Sequence, residues 1–168
     1  GHGGTLDPFA EGVLIVGTNT DTKRLSEFSE TIKSYRAVLK LGETTNTLDS
    51  EGDIIKTMPV PEINIARLEK VFKGFIGDYE QIPPMFSAKK VNGVRLYKLA
   101  RMNKTVERQP AIVKIYKLTL NFTENNQIDF TVSCSKGTYV RVLGEDIAKA
   151  LNTVGYLIRL KRTAVGDF

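Results

Sequence analysis

Gly1-His2-Gly3-Gly4-Thr5-Leu6-Asp7-Pro8-Phe9-Ala10-Glu11-Gly12-Val13-Leu14 is the stretch from which the rest of the chain is read. Glycines at three of the first four positions, then a proline, crowd a single aspartate. Such a run is no helix interior. Glycine supplies backbone freedom and close approach. Pro8 fixes its own φ and biases Asp7 towards an extended conformation. Asp7 is therefore expected on a shaped loop that feeds the apolar run Val13–Val16, read as a buried strand. A carboxylate on a rigid loop ahead of a buried strand is a candidate catalytic group. By spacing alone, Asp7-Pro8 also reads as an ordinary turn.

At 168 residues the default is a single domain with a real core, and an apolar share of 41% is ordinary for one. No run is long enough to span a bilayer and no signal peptide is visible. Cys134 is the only cysteine, which excludes an intramolecular disulfide and a thiolate cluster for zinc. His2 is the only histidine, so a multi-histidine metal site is excluded and a Ser-His-Asp triad would have to use that residue. The chemistry narrows to carboxylate, tyrosine, lysine and arginine. A net charge of +5, from 24 basic against 19 acidic residues, suits an anionic partner without requiring one.

Outward from the opening loop, Thr22–Phe28 reads as a short helix capped by Asp21 or Thr22. Ser34–Leu41 alternates as a strand with Tyr35, Ala37, Leu39 and Leu41 on one face. Thr44–Gly52 is expected to be a polar loop with no core-forming pattern. Ile65, Leu68, Val71, Phe72, Phe75 and Ile76 recur at helical spacing, an amphipathic helix that packs on something flat. Gln81–Pro84 breaks regular structure, Ser87–Gly93 reads as a strand running into a turn, and Leu96–Arg101 as a helical turn or two. Pro110 opens a long strand that turns at Glu124–Gln127 into a second one, an antiparallel hairpin. A helix follows with Val140, Leu143, Ile147 and Leu151 on one face and Thr138 as its N-cap, and Gly155–Val165 reads as a last strand. Long strands with helices between them and at least one hairpin predict an α+β fold with a mixed sheet.

The opening run resembles the aspartate motif of the TruB-type tRNA pseudouridine synthases, Gly-His-x-Gly-Thr-Leu-Asp-Pro, in which the aspartate is the nucleophile. Four further blocks resemble the same family, in its order and over nearly the whole chain. They are Lys33-x-Tyr35-x-Ala37 with Gly42, Thr45, Thr47, Asp49 and Gly52; Pro83-Pro84-x-Phe86-Ser87-Ala88-x-Lys90-x-x-Gly93 with Tyr97, Ala100 and Arg101; Cys134–Arg141; and Leu160-Lys161-Arg162-Thr163 with Gly166. The chain departs from many members at Asn46, where they have aspartate, and at Gly155-Tyr156, where they have Ala-His.

The resemblance implies a pseudouridine-synthase fold, a mixed and mostly antiparallel sheet flanked by helices with a central cleft. It also implies isomerisation of a T-loop uridine in tRNA with neither cofactor nor metal. It assigns Asp7 as nucleophile, Arg141 as its partner, and Tyr35 as the ring that stacks on the uracil and helps remove the C5 proton. Tyr139 and Leu160 match residues lining the base pocket, and His2 matches the loop that fills the space left by the everted base. Lys136, Lys90, Arg159, Lys161 and Arg162 are phosphate-contact candidates, each of which alone also reads as a solvated charge.

Residues 1–168 are accordingly expected to form one cytoplasmic, monomeric catalytic domain. It is expected to lack a family segment before the motif and a separate C-terminal RNA-binding region. The alternatives are a tRNA-binding fragment without activity, the catalytic subunit of a related guide-RNA-dependent synthase, and a small-molecule glycosidase using Asp7. The last usually needs a second carboxylate at defined spacing, and none stands out.

Overall fold

Alternation in the long strands sets the architecture. The computed structural model describes all residues from Gly1 to Phe168. In chain order the strands are β1 (Glu11–Gly12), β2 (Lys33–Leu41), β3 (Glu43–Thr45), β4 (Ile54–Thr57), β5 (Gly77–Gln81), β6 (Lys90–Val91), β7 (Val94–Arg95), β8 (Ala111–Glu124), β9 (Gln127–Cys134) and β10 (Gly155–Val165). The helices are α1 (Leu25–Ser29), α2 (Ile65–Phe75), α3 (Leu96–Arg101) and α4 (Val140–Ala150). A tight turn of 3-10 helix over Asn19–Arg24 leads into α1.

Six strands form the main sheet in the order β1-β10-β2-β9-β8-β5. Every pair is antiparallel except β1 with β10. The expected mixed, mostly antiparallel sheet is what the chain builds. The hairpin β8–β9 turns through Asn125 and Asn126 at φ of 50° and 60°, a left-handed pair that asparagine tolerates and that matches the twist of the strands. Helices α2 and α4 cover one face. Leu68 and Phe72 of α2, and Val140, Leu143, Ile147 and Ala148 of α4, pack on Ala37, Leu39, Phe130, Val132 and Leu157 of the sheet. Phe72 meets Phe130 edge-on at 6.0 Å between ring centroids. The opposite face is polar, with Arg36 paired to Asp129 at 3.0 Å and Asn121 bonded to both Asp129 and Thr131.

Two irregularities in β10 matter for the site. The pairing with β2 slips between Leu157 and Arg159 and again between Arg162 and Ala164. Each extra residue turns the strand by one step. Leu157, Leu160, Arg162 and Val165 therefore all lie buried, at spacings that strict alternation would not give.

Several expectations are corrected. Val13–Val16 is not a buried strand: it runs back along Gly1–Gly3, bridging His2 to Val16, and leaves Leu14 46% and Val16 64% exposed. Thr44–Gly52 is far from a plain polar loop. Thr44 and Thr45 belong to β3, and Thr44, Thr45 and Asp49 are buried because they satisfy one another and Gly155 by hydrogen bonds. Only Lys90–Val91 of Ser87–Gly93 pairs as strand, in a small hairpin with β7. Gly77–Gln81, too polar to announce itself, is the edge strand β5. Ile65 and Ile76, counted in the apolar stripe of α2, sit exposed at its ends, and Asn64 caps it by accepting from Arg67 N. Thr138 does not cap α4; its hydroxyl donates to Ser135 O at 2.8 Å, and Tyr139 stands at the N-cap position.

Candidate active site

The glycine-rich loop is shaped by one arginine. Arg162 Nε donates to Val13 O at 2.8 Å, Nη2 to Gly4 O at 3.1 Å and Nη1 to Thr5 O at 3.2 Å. The planar fork thus ties both limbs of the loop together beneath Asp7. Gly4 has φ of 149° and Gly12 φ of 117°, a region that L side chains rarely adopt. A Cβ on Gly12 would also overlap the Arg162 backbone, because β1 lies directly on β10 there.

Held this way, Asp7 meets Arg141. Arg141 Nε donates to Asp7 Oδ2 at 2.7 Å and Nη2 to Oδ1 at 3.3 Å, a bidentate pair. The arginine side chain is 3% exposed and the aspartate 28%. The remaining reach of the guanidinium is taken by carbonyls, Thr47 O to Nη1 and Phe86 O to Nη2, both at 2.9 Å. Three separate segments therefore fix the direction of one charge. The carboxylate keeps an open side towards a cavity of about 280 Å³.

That cavity is lined by Asp7, Lys33, Tyr35, Tyr139, Leu160 and Arg162, with Lys136 and Ser29 among its other walls. Burial raises the Tyr35 phenol above its ordinary value, with the nearby Arg162 pulling the other way, so the group is neutral. Burial lowers Lys33, and the neighbouring Arg162 lowers it further. The Lys33 ammonium donates to Ser29 O and, at 2.8 Å, to Thr31 O. The Ser87 hydroxyl, also on the wall, is buried without a hydrogen-bond partner. No group of three or more His, Cys, Asp or Glu side chains is placed to hold a metal ion.

Of the residues named from sequence, Asp7, Tyr35, Arg141, Tyr139, Leu160, Lys136 and Arg162 surround this one cavity. His2 does not line it; its Nδ1 accepts from Gly4 N at 3.4 Å on an exposed loop. Lys90 is exposed on β6, away from the cavity wall. Arg159 and Lys161 line a separate groove on the other side of the sheet, beside Arg36 and Glu11. Lys136 is exposed and bonds Glu30, 2.7 Å from Oε1. Arg162, named from sequence as a phosphate-contact candidate, is 2% exposed and serves as a loop clamp whose fork points at three carbonyls.

Residue-type reasoning missed two inward side chains. Lys33 stands two positions before Tyr35 in a strand and so shares its face, a signal present in the spacing. Gln81 is buried and forms a matched pair with the backbone of Tyr139, donating to its O at 3.0 Å and accepting from its N at 2.8 Å. No pattern in the sequence links two positions so far apart.

Residues 1–140 match a family model described as the TruB family pseudouridylate synthase, N-terminal domain. The chain is 45% identical over 168 residues to the tRNA pseudouridine synthase B of Psychrobacter cryohalolentis, covering all of this chain and 47% of that relative. To the protein of the same name from Parabacteroides distasonis it is 47% identical over 167 residues, covering 99% of this chain and 71% of the relative. Among solved structures, a chain in a crystal structure of a Cbf5-Nop10-Gar1 complex superposes with a TM-score of 0.73 at 25% identity, over all of this chain and 41% of the other.

Proposed function

Because the chain belongs to the TruB family of pseudouridylate synthases, we propose that it isomerises a uridine in the T-loop of tRNA to pseudouridine. Residues 1–168 act in this reading as one catalytic domain, a cytoplasmic monomer with tRNA as its partner. The observation that carries the reading is the bidentate Asp7–Arg141 pair with its open side on the cavity.

The target base is everted into the cavity, at an unstacking cost of about a few kcal/mol. The C1′–N1 bond breaks, the uracil turns, and C5 bonds to the same sugar carbon. The C5 proton leaves and N1 ends protonated, so the product is an isomer. Asp7 is the one carboxylate on the cavity wall, placed to trap or stabilise an electron-poor C1′. Arg141 holds its charge and direction without access to the substrate's water. Tyr35, neutral at working pH, offers a ring to stack on the base and a phenol to carry a proton. Leu160 and Tyr139 form an apolar wall that keeps water from a glycosyl intermediate. Lys136 at the cavity and His2 and Lys90 beyond it are the proposed contacts to the rest of the RNA.

A second reading, the catalytic subunit of a guide-RNA-dependent synthase, takes its support from the likeness to the Cbf5 chain. The higher identity to relatives named tRNA pseudouridine synthase B favours the first. The test is tritium release from a T-arm stem-loop carrying 5-tritiated uridine, with no guide RNA added. Release by the chain is expected; release only with guide RNA favours the second reading, and none under either condition overturns both.

A further inference from the structure

We infer that Ser87 is a specificity-determining residue for the proposed reaction, its hydroxyl hydrogen-bonding the ribose 2′-hydroxyl of the everted nucleotide. The inference deepens the activity proposed above and rests on it.

An orphaned polar atom carries it. Ser87 is 6% exposed, lines the same cavity as Asp7, and its Oγ has no hydrogen-bond partner. A buried hydroxyl left unsatisfied is costly, and each such group in a fold calls for an explanation. The other aliphatic hydroxyls on this wall are accounted for. Ser29 Oγ donates to Ser26 O at 2.8 Å, Thr138 Oγ1 donates to Ser135 O at 2.8 Å, Ser135 Oγ accepts from Lys114 N at 2.9 Å, and Thr5 is exposed. Arg108 Nε and Thr153 Oγ1, the other buried side-chain atoms without a partner, lie outside the cavity.

The backbone around this hydroxyl is held at three points. Ser87 N donates to Met85 O at 2.9 Å, Ser87 O accepts from Tyr97 N at 3.0 Å, and Phe86 O accepts from Arg141 Nη2 at 2.9 Å. The same Nη2 donates to Asp7 Oδ1 at 3.3 Å, so one guanidinium nitrogen links the peptide before Ser87 to the reacting carboxylate. Rotation about χ1 moves the hydroxyl among staggered positions without disturbing that backbone.

The stereochemistry of the substrate selects the partner. In a β-ribonucleoside the base and the 2′-hydroxyl lie on opposite faces of the sugar. A carboxylate that traps C1′ behind the departing base therefore approaches the face that bears the 2′-hydroxyl. A serine hydroxyl beside that carboxylate meets it there, and each group can both donate and accept. In glycosidases, hydrogen bonds to the corresponding 2-hydroxyl strengthen in the transition state. The 2′-hydroxyl is also the group by which a protein tells RNA from DNA.

The test crosses two enzymes with two substrates. Wild type and Ser87→Ala are assayed on T-arm stem-loops carrying 5-tritiated uridine or 5-tritiated 2′-deoxyuridine at the target position. With uridine, Ser87→Ala is expected to lose about tenfold in kcat/KM. With 2′-deoxyuridine the two enzymes are expected to agree within about twofold, because the partner is already gone. Equal losses on both substrates, or no loss on uridine, overturn the inference. The denaturant midpoint of Ser87→Ala is expected at or above that of wild type, since an unsatisfied group has been removed. A lower midpoint would place the role of the hydroxyl in the fold and overturns the inference as well. Where 2′-deoxyuridine is not converted, the same cycle is read in dissociation constants on the Asp7→Asn background: a loss confined to the uridine RNA supports the role, and any other pattern overturns it. A wild-type chain without turnover on uridine removes the proposed function, while the affinity cycle still decides Ser87.

Discussion

At the scale of single residues, the account rests on asymmetric burial. Arg141 is inside and Asp7 is a quarter open, so the arginine serves the aspartate and not the solvent. Removing one partner of a buried pair costs about 3–5 kcal/mol because the other charge is left without compensation. Arg141→Lys keeps the charge but loses the fork, and with it the simultaneous reach to Asp7, Thr47 and Phe86. Turnover is expected to fall about a hundredfold or more, with RNA affinity within about threefold; unchanged kcat would contradict the role of the pair. Tyr35 gives a second expectation. Burial, partly offset by Arg162, raises its folded-state pKa above the ordinary phenol value of about 10. Between that value and the raised one the folded state holds a proton that the unfolded chain releases. The Tyr35 contribution to stability is therefore fully present below about pH 10 and is lost as pH rises through the folded pKa. In a spectroscopic titration, the transition missing from Tyr35→Phe should be one that lies above about pH 10. A missing transition at or below that point would contradict the neutral phenol assigned to Tyr35.

At the scale of elements, the site depends on where strands touch. β1 is only two residues long, yet its contact with β10 brings Gly12 onto the Arg162 backbone and fixes the end of the aspartate loop. Gly12→Ala forces a Cβ into that backbone at a positive φ, and a loss of at least about 1–3 kcal/mol of stability is expected, read from a denaturant midpoint. A wild-type midpoint would mean that β1 does not anchor the loop. The same scale explains what could be read beforehand. β2, the β8–β9 hairpin and α2 show themselves because an apolar face alternates with a polar one at a regular period. β5 does not, because Gly77-Asp78-Tyr79-Glu80-Gln81 carries no apolar face, and its Gln81 is buried through a backbone pair with Tyr139. The Thr45–Asp49 turn is hidden for a related reason: its buried groups are polar and satisfy one another, which periodicity cannot register. In β10 the slip after Leu157 displaces Leu160 and Arg162 onto the site face, so strict alternation from Leu157 misassigns the arginine.

At the scale of the whole molecule, the sheet brings together residues more than a hundred positions apart. Asp7 comes from the first loop, Arg141 from the start of α4, and Leu160 and Arg162 from the last strand. The resemblance motifs name most of these, but their meeting depends on the order β10-β2-β9, which no local signal encodes. In the proposed function, a net charge of +5 and the exposed Lys136, Lys90 and Lys161 would give RNA binding an electrostatic, sequence-independent share. Affinity for a T-arm stem-loop is therefore expected to fall as salt rises, with a log–log slope lowered by about 0.7–0.9 for each phosphate contact removed. A slope unchanged by Lys136→Met would show that Lys136 stays with Glu30 and does not reach the RNA.

The most direct measurement is made on Asp7→Asn, whose amide oxygen can still accept from Arg141 and so preserves the fold of the site. With 5-tritiated uridine in the T-loop, the wild-type chain should release tritium and Asp7→Asn should release none. The mutant should bind the RNA as well as wild type or slightly better, having lost one negative charge. Tritium release by Asp7→Asn at the wild-type rate would contradict the claim that this carboxylate does the chemistry.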